Sequence, residues 1–331
     1  MACEEGLTVQ RTATVNALLQ YGANVGALNK DGATPLHRAA ENGLGEAVTV
    51  LMQAGANKEA AGKGGATPLH FAALNGHVEA VGALLRAGAN TEAADKDGRT
   101  PLHRAAENAQ VEAVTALMQA GADKEAADKD GRTPLHRAAE NGQVEAVAAL
   151  LQAGADKEAA DKDGRTPLHR AAENAQVEAV TALMQAGADK EAADKDGRTP
   201  LHRAALLGKV EVVGALMQAG ANKEAADKDG RTPLHRAAEN GQVEAVTVLM
   251  QAGADKEAAD KDGATPLHRA AENGQVEAVT VLLQAGVNKE AADKDGATPL
   301  HRAAENGQVE AVTALMQAGA NKEAADKPGL N

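Results

Sequence analysis

The sequence predicts an all-α repeat solenoid of stacked helix–turn–helix units with short turn or hairpin tips. The tetrapeptide TPLH begins at Thr34, Thr67, Thr100, Thr133, Thr166, Thr199, Thr232, Thr265 and Thr298, each 33 residues after the last. A fixed period of this size means one supersecondary unit copied along the chain. Aromatic residues are only 1% of the 331 residues, with no Trp, one Tyr (Tyr21) and one Phe (Phe71). The core must therefore come from many small, regularly placed aliphatic contacts rather than from large aromatic anchors.

The period sets the organisation. Residues 1–28 form a degenerate N-terminal half repeat, in which 12–24 (TATVNALLQYGAN) match the second half of later repeats while 1–11 lack the TPLH pattern. Complete repeats follow at 29–61, 62–94, 95–127, 128–160, 161–193, 194–226, 227–259, 260–292 and 293–325, and a tail occupies 326–331.

The repeat 128–160 serves as reference. Its DKDG segment, Asp128 to Gly131, predicts a turn, with Asp to start it and Gly to tolerate positive φ. Thr133 and Pro134 predict a helix start: a hydroxyl N-cap, then a residue whose missing N–H costs nothing in the first turn. This helix is expected over 134 to about 141, closed by Gly142. A second helix is expected over 144 to about 153, with Val144, Val147, Leu150 and Leu151 sharing a face and Gly154 as the stop. One such repeat has a single apolar face and cannot bury it alone, so neighbours must stack in register. Ala138 and Ala139 permit close approach, and Leu135 with the second-helix aliphatics fills the space between layers.

The period, the D-x-D-G-R-T-P-L-H-R-A-A opening and the L-x-x-G-A closing resemble the ankyrin repeat family over 29–325 and the preceding half repeat. The resemblance implies a cupped stack whose hairpin tips and first helices make a concave surface for binding other proteins. It also implies a scaffold or adaptor without chemistry of its own. Two positions depart from the family pattern: Lys157-Glu158 follow G-A-D where an apolar residue and Asn are usual, and Gln143 stands where His is common.

Composition excludes other classes. A net charge of -13 repels nucleic acid and anionic membrane surfaces and favours a protein partner with a basic or mixed-charge surface. No apolar run reaches the roughly 18 to 20 residues of a membrane span. The single cysteine, Cys3, makes no intramolecular disulfide, which suggests the cytosol or the nucleus. Nine of the ten histidines (His37, His70, His103, His136, His169, His202, His235, His268, His301) recur at one repeat position. Spaced by a layer of roughly 8 to 10 Å, neighbours cannot share a metal ion whose ligands sit at about 2 Å, so each is expected to brace the turn against the helix start. The DKDG segments lack the register of a calcium loop, since the twelfth residue from Asp128 is Ala139, not Glu. No phosphate loop, nucleophile elbow or zinc pattern occurs, so neither cofactor nor catalysis is expected.

Candidate binding residues are the departures from the repeat. Leu206 and Leu207 replace the usual Glu-Asn pair, and Phe71 and Leu74 replace Arg and Glu. Arg99, Arg132, Arg165, Arg198 and Arg231 form a central row at the outer turn, where Ala33, Ala66, Ala264 and Ala297 stand in other repeats. Leu206 and Leu207, flanked by Arg198, Arg231 and Lys209, are expected to form an apolar contact spot. The last repeat keeps Val309, Val312, Leu315 and Met316 like an interior one, from which a continuing array or end-to-end self-association is expected. A spacer or self-associating rod is the alternative function, and the recruiting domain of a larger protein a third.

Overall fold

A computed structural model describes residues 2–323, with side chains from Gln10 onward. The expected tail 326–331 and the side chain of Cys3 lie outside the described residues. Among those described there are 19 helices and no strand, in two compact units, 1–162 and 163–331.

The first unit opens with one continuous helix, α1 (Ala2–Gln20). Four helix pairs follow: α2 (Pro35–Glu41) with α3 (Gly45–Gln53), α4 (Pro68–Leu74) with α5 (Val78–Arg86), α6 (Pro101–Glu107) with α7 (Val111–Gln119), and α8 (Pro134–Glu140) with α9 (Val144–Gln152). The second unit contains α10 (Pro167–Glu173) and α11 (Val177–Gln185), α12 (Pro200–Leu206) and α13 (Val210–Gln218), and α14 (Pro233–Glu239) and α15 (Val243–Gln251). It closes with α16 (Pro266–Glu272) and α17 (Val276–Gln284), then α18 (Pro299–Glu305) and α19 (Val309–Gln317). Within each unit first helices pack on first helices and second on second, as α6 on α8 and α15 on α17. This is a repeat solenoid built as its period requires.

The core is aliphatic. Leu135, Ala138 and Ala139 of α8 and Ala146, Val147 and Leu150 of α9 have no solvent exposure. Val144 and Leu151, expected on the same face, are only half-buried. At about 100° per residue the buried stripe centres between Ala146, Val147 and Leu150, which leaves Val144 and Leu151 on its flanks.

Backbone hydrogen bonds join the tips of successive repeats. Lys129 N–H donates to the Asp97 carbonyl and Lys162 N–H to that of Asp130, both at 2.9 Å. The glycine of this tip is required twice over. Gly131 has φ +79°, and a Cβ there would lie 2.8 Å from the Lys162 nitrogen.

The Glu of the unexpected Lys-Glu pair clamps the following repeat: Glu125 Oε1 accepts from the Asp156 N–H at 2.8 Å, and Glu257 Oε1 from Asn288 N–H at 2.7 Å. Gln143, the other departure, donates from Nε2 to the Glu107 carbonyl at 3.2 Å. At the end of the second unit Val309 is 67% exposed.

Candidate functional site

Tips and first helices share an ion-pair network whose geometry follows from the DKDGRTPLHRAAE run. Asp128 Oδ1 accepts from the N–H groups of Asp130 (2.8 Å) and Arg132 (3.0 Å) and shapes the turn. Its Oδ2 accepts from Arg137 Nε at 2.9 Å and also from the same guanidinium's Nη2. Arg137 reaches Glu140 at 3.3 Å, one helical turn on, and Glu140 takes Arg132 at 3.1 Å. The chain Asp128, Arg137, Glu140, Arg132 thus ties this tip to the end of its own first helix. Burial opposes the charge on Asp128, but the Arg132 N–H and the Arg137 guanidinium outweigh it and hold the carboxyl below the usual aspartate range.

The histidine column connects repeats. His103 Nδ1 accepts from the Thr100 N–H at 3.1 Å, while Nε2 donates to the Arg132 carbonyl at 2.9 Å, 29 residues on. Two committed ring nitrogens leave no ligand for a metal. Burial lowers the affinity of these rings for a proton, to a pKa of about 4 at His169 and His235, with the carbonyl bonds opposing. Among the described residues no three His, Cys, Asp or Glu side chains could hold a metal ion together.

Against this lattice the departures stand out. In the repeat 62–94 all four members of that ion-pair chain are exchanged at once, together with the counterpart of Asp130, whose carboxylate lies 3.7 Å from Arg137: Gly62, Gly64, Ala66, Phe71 and Leu74 stand where the reference repeat has Asp128, Asp130, Arg132, Arg137 and Glu140. Phe71 and Leu74 are half-buried, and the Phe71 ring meets His37 edge-on at 5.7 Å. A pocket of about 270 Å³ opens beside Phe71, lined also by Ala33, Glu41 and Gly62.

In 194–226 the exchange is partial. Leu206, half-buried, ends α12, and Leu207, 43% exposed, caps it, while both arginines of the network remain. Arg132 and Arg231 hydrogen-bond their own Glu140 and Glu239, the latter at 2.8 Å, and Arg165 lies 3.3 Å from Glu173. Arg198 has no such glutamate. It reaches Asp196 at 3.4 Å and Asp227 at 3.8 Å instead, and its Nε is buried with no hydrogen-bond partner, as are those of Arg132 and Arg231. Burial first, then Arg236 and Arg203, push its pKa below the usual arginine value. Leu207 also forgoes the bond by which Asn141 Nδ2 donates to the Arg137 carbonyl at 2.9 Å.

The row of outer arginines is therefore a set of half-buried, mostly paired side chains. Phe71, Leu74 and Arg132 lie in the first compact unit; Arg165, Arg198, Leu206, Leu207, Lys209 and Arg231 lie in the second. Sequence reasoning marked Ala66, Phe71 and Leu74 singly, passed over Gly62 and Gly64, and missed that together they replace one connected network. The signal was present in the spacings of three, eight and nine residues between partners.

A family model described as ankyrin repeats (3 copies) matches residues 1–62, 58–128, 120–194, 187–260 and 252–326. A search of the curated proteins finds none that matches. No helix among the described residues is long and apolar enough to cross a membrane.

Proposed function

The chain belongs to the ankyrin repeat family, and from that premise we propose that it is a scaffold or adaptor that docks a partner protein at the end of α12. Ankyrin repeats are protein–protein interaction modules, in general without catalysis. The observation that carries the finer reading is the glutamate that Arg198 lacks: Leu206 stands where a glutamate engages the outer arginine of neighbouring repeats, beside the exposed Leu207. An apolar pair next to a guanidinium with spare hydrogen-bonding capacity suits a mixed-charge partner surface that brings an apolar side chain and a carboxylate together. Phe71 and Leu74 are a second apolar departure on the same face of their repeat. A reducing compartment, cytosol or nucleus, accords with the lone Cys3. The repeats 29–325 form the binding domain in this reading, with 1–28 as its N-terminal half repeat.

The test is capture from native lysate by the wild-type chain and by a Leu206→Glu, Leu207→Glu double variant matched for folding by circular dichroism. Partners held by the wild type and lost by the variant support docking at this site. Equal capture by both overturns it. If surface variants everywhere are tolerated alike, the chain acts instead as a spacer or self-associating rod.

A further inference from the structure

We propose that the pocket beside Ala264 is a receptor for an arginine side chain of a bound partner. The pocket, about 350 Å³, lies between the repeats 260–292 and 293–325, and beside Ala264 its lining includes four carboxylates, Asp262, Glu272, Asp293 and Asp295, against three cations, Arg269, Lys294 and Arg302. Its shape and charge follow from one exchange, Ala264 at the position that Arg231 occupies one repeat earlier.

The chain itself records what that space is built to hold. Arg231 fills the equivalent position, with Nη1 at 2.8 Å from Glu239 of its own repeat and Nε at 3.5 Å from Asp260 of the next. In the Ala264 pocket both carboxylates are retained as Glu272 and Asp293, and the guanidinium between them is missing. Each carboxylate is already positioned without it. Asp293 Oδ1 accepts from the N–H groups of Asp295 and Ala297 at 3.0 Å, while Oδ2 is 2.6 Å from Arg302. Glu272 is held by Arg269 at 2.9 Å. The cage is therefore not a loose acidic patch: it has the ligands, the volume and the fixed geometry of a site that elsewhere in this chain contains a guanidinium.

The other alanine positions differ in ways that single this one out. Beside Ala33 the second carboxylate is absent, because Gly62 stands in its place and Phe71 lines the pocket. Beside Ala66 the first is absent, because Leu74 stands where Glu272 does here. The counterpart beyond Ala297 lies outside the described residues. A guanidinium carries five donors around a fixed plane and spans two carboxylates on different repeats better than the compact ammonium of lysine, which favours arginine. Arginine docking here adds a second point of attachment to the reading of the chain as a protein-binding array. It also gives the net charge of -13 a local expression.

The test uses the blocked tripeptide acetyl-Gly-Arg-Gly-amide, titrated into the full isotope-labelled chain and followed by amide shifts. Saturable shifts are expected at Ala264, His268 and Lys294, with the Gly-Lys-Gly analogue at least ~3-fold weaker. Ala264→Arg fills the pocket from within and is expected to weaken binding at least ~10-fold while unfolding no earlier than wild type. Glu272→Gln, which keeps shape and removes one charge, is expected to weaken it severalfold. Shifts that do not saturate, that survive Ala264→Arg, or that are equal for lysine overturn the proposal. Because the tripeptide reports on this pocket alone, its failure leaves the Leu206 site untouched, and the reverse also holds.

Discussion

His103 donates from Nε2 to the carbonyl of Arg132 at 2.9 Å, a bond that joins the helix start of one repeat to the tip of the next. The bond requires a neutral ring with its proton on Nε2 and Nδ1 free to accept from Thr100. Burial lowers the pKa of His37, His70, His103, His202 and His268 in the same way, and brings His169 and His235 to about 4.

Acid is therefore expected to weaken the array well before its carboxylates titrate. The unfolded histidines bind protons at about 6.5 and folded His169 and His235 only near 4, so the unfolded state takes up more protons between these values. Stability is full above pH 6.5, falls as the pH drops through this window, and by pH 4 has lost roughly 3 kcal/mol at each of His169 and His235. A second decline follows below the usual aspartate value, as Asp95, Asp128, Asp194 and Asp260 lose their depressed pKa advantage. Urea unfolding measured between pH 8 and pH 4 checks this; a flat midpoint down to pH 5 contradicts it.

The Asp128 carboxylate, wholly buried, serves two masters: its turn and Arg137, whose side chain is 7% exposed. Asp128→Ala is expected to cost about 3 to 5 kcal/mol locally, because a buried guanidinium loses its main counterion and two amides lose their acceptor. Asp128→Asn keeps an acceptor for the turn and is expected to cost less than half as much. Hydrogen exchange at the amides of Asp130 and Arg132 separates the two: protection should vanish in the first variant and persist in the second.

Ala109 and Ala175 occupy the left-handed region, at φ 59° and 60°, where Gly142 sits in the reference repeat at φ 69°. A Cβ in that region is unfavourable, so each position carries strain that glycine relieves. Ala109→Gly and Ala175→Gly are each expected to stabilise the array by about 1 kcal/mol. Thermal unfolding of the double variant measures it, and a lowered midpoint refutes it.

These effects differ in how far the sequence reveals them. The helix pair and the burial of Leu135, Ala138 and Ala139 follow from a 33-residue period that no other packing satisfies. The flanking status of Val144 and Leu151 does not, because helical periodicity gives the stripe but not its centre, which depends on where the neighbouring layer presses. Glu125 binding the Asp156 amide was hidden for a related reason: the bond spans 31 residues and uses a position that looks like a solvated charge. For the candidate site, Leu206 was visible as an exchanged letter, but the glutamate missing from Arg198 is visible only once Glu239 is seen on Arg231. A repeat array compares its own sites, and geometry is what turns that comparison into chemistry.

Leu206→Glu is expected to separate stability from binding. In neighbouring repeats the residue at this position accepts from the outer arginine, as Glu239 does from Arg231 at 2.8 Å, and also meets the inner one, Arg236, at 3.1 Å. The variant supplies Arg198 and Arg203 with that same carboxylate. Arg198 has a side chain only 20% exposed, so the new pair is partly shielded from solvent and is expected to add about 0.5 to 1.5 kcal/mol. Leu207→Asn should add a similar amount by restoring the side-chain bond to the Arg203 carbonyl that Asn240 makes to Arg236 at 2.9 Å. A protein that keeps two leucines where its own repeats offer a stabilising Glu-Asn pair forgoes stability at that point, the usual mark of a surface held for contact. Calorimetry on the single and double variants decides: a raised midpoint together with lost partner capture fits a docking site, whereas a lowered midpoint makes Leu206 part of the packing and removes the argument for it.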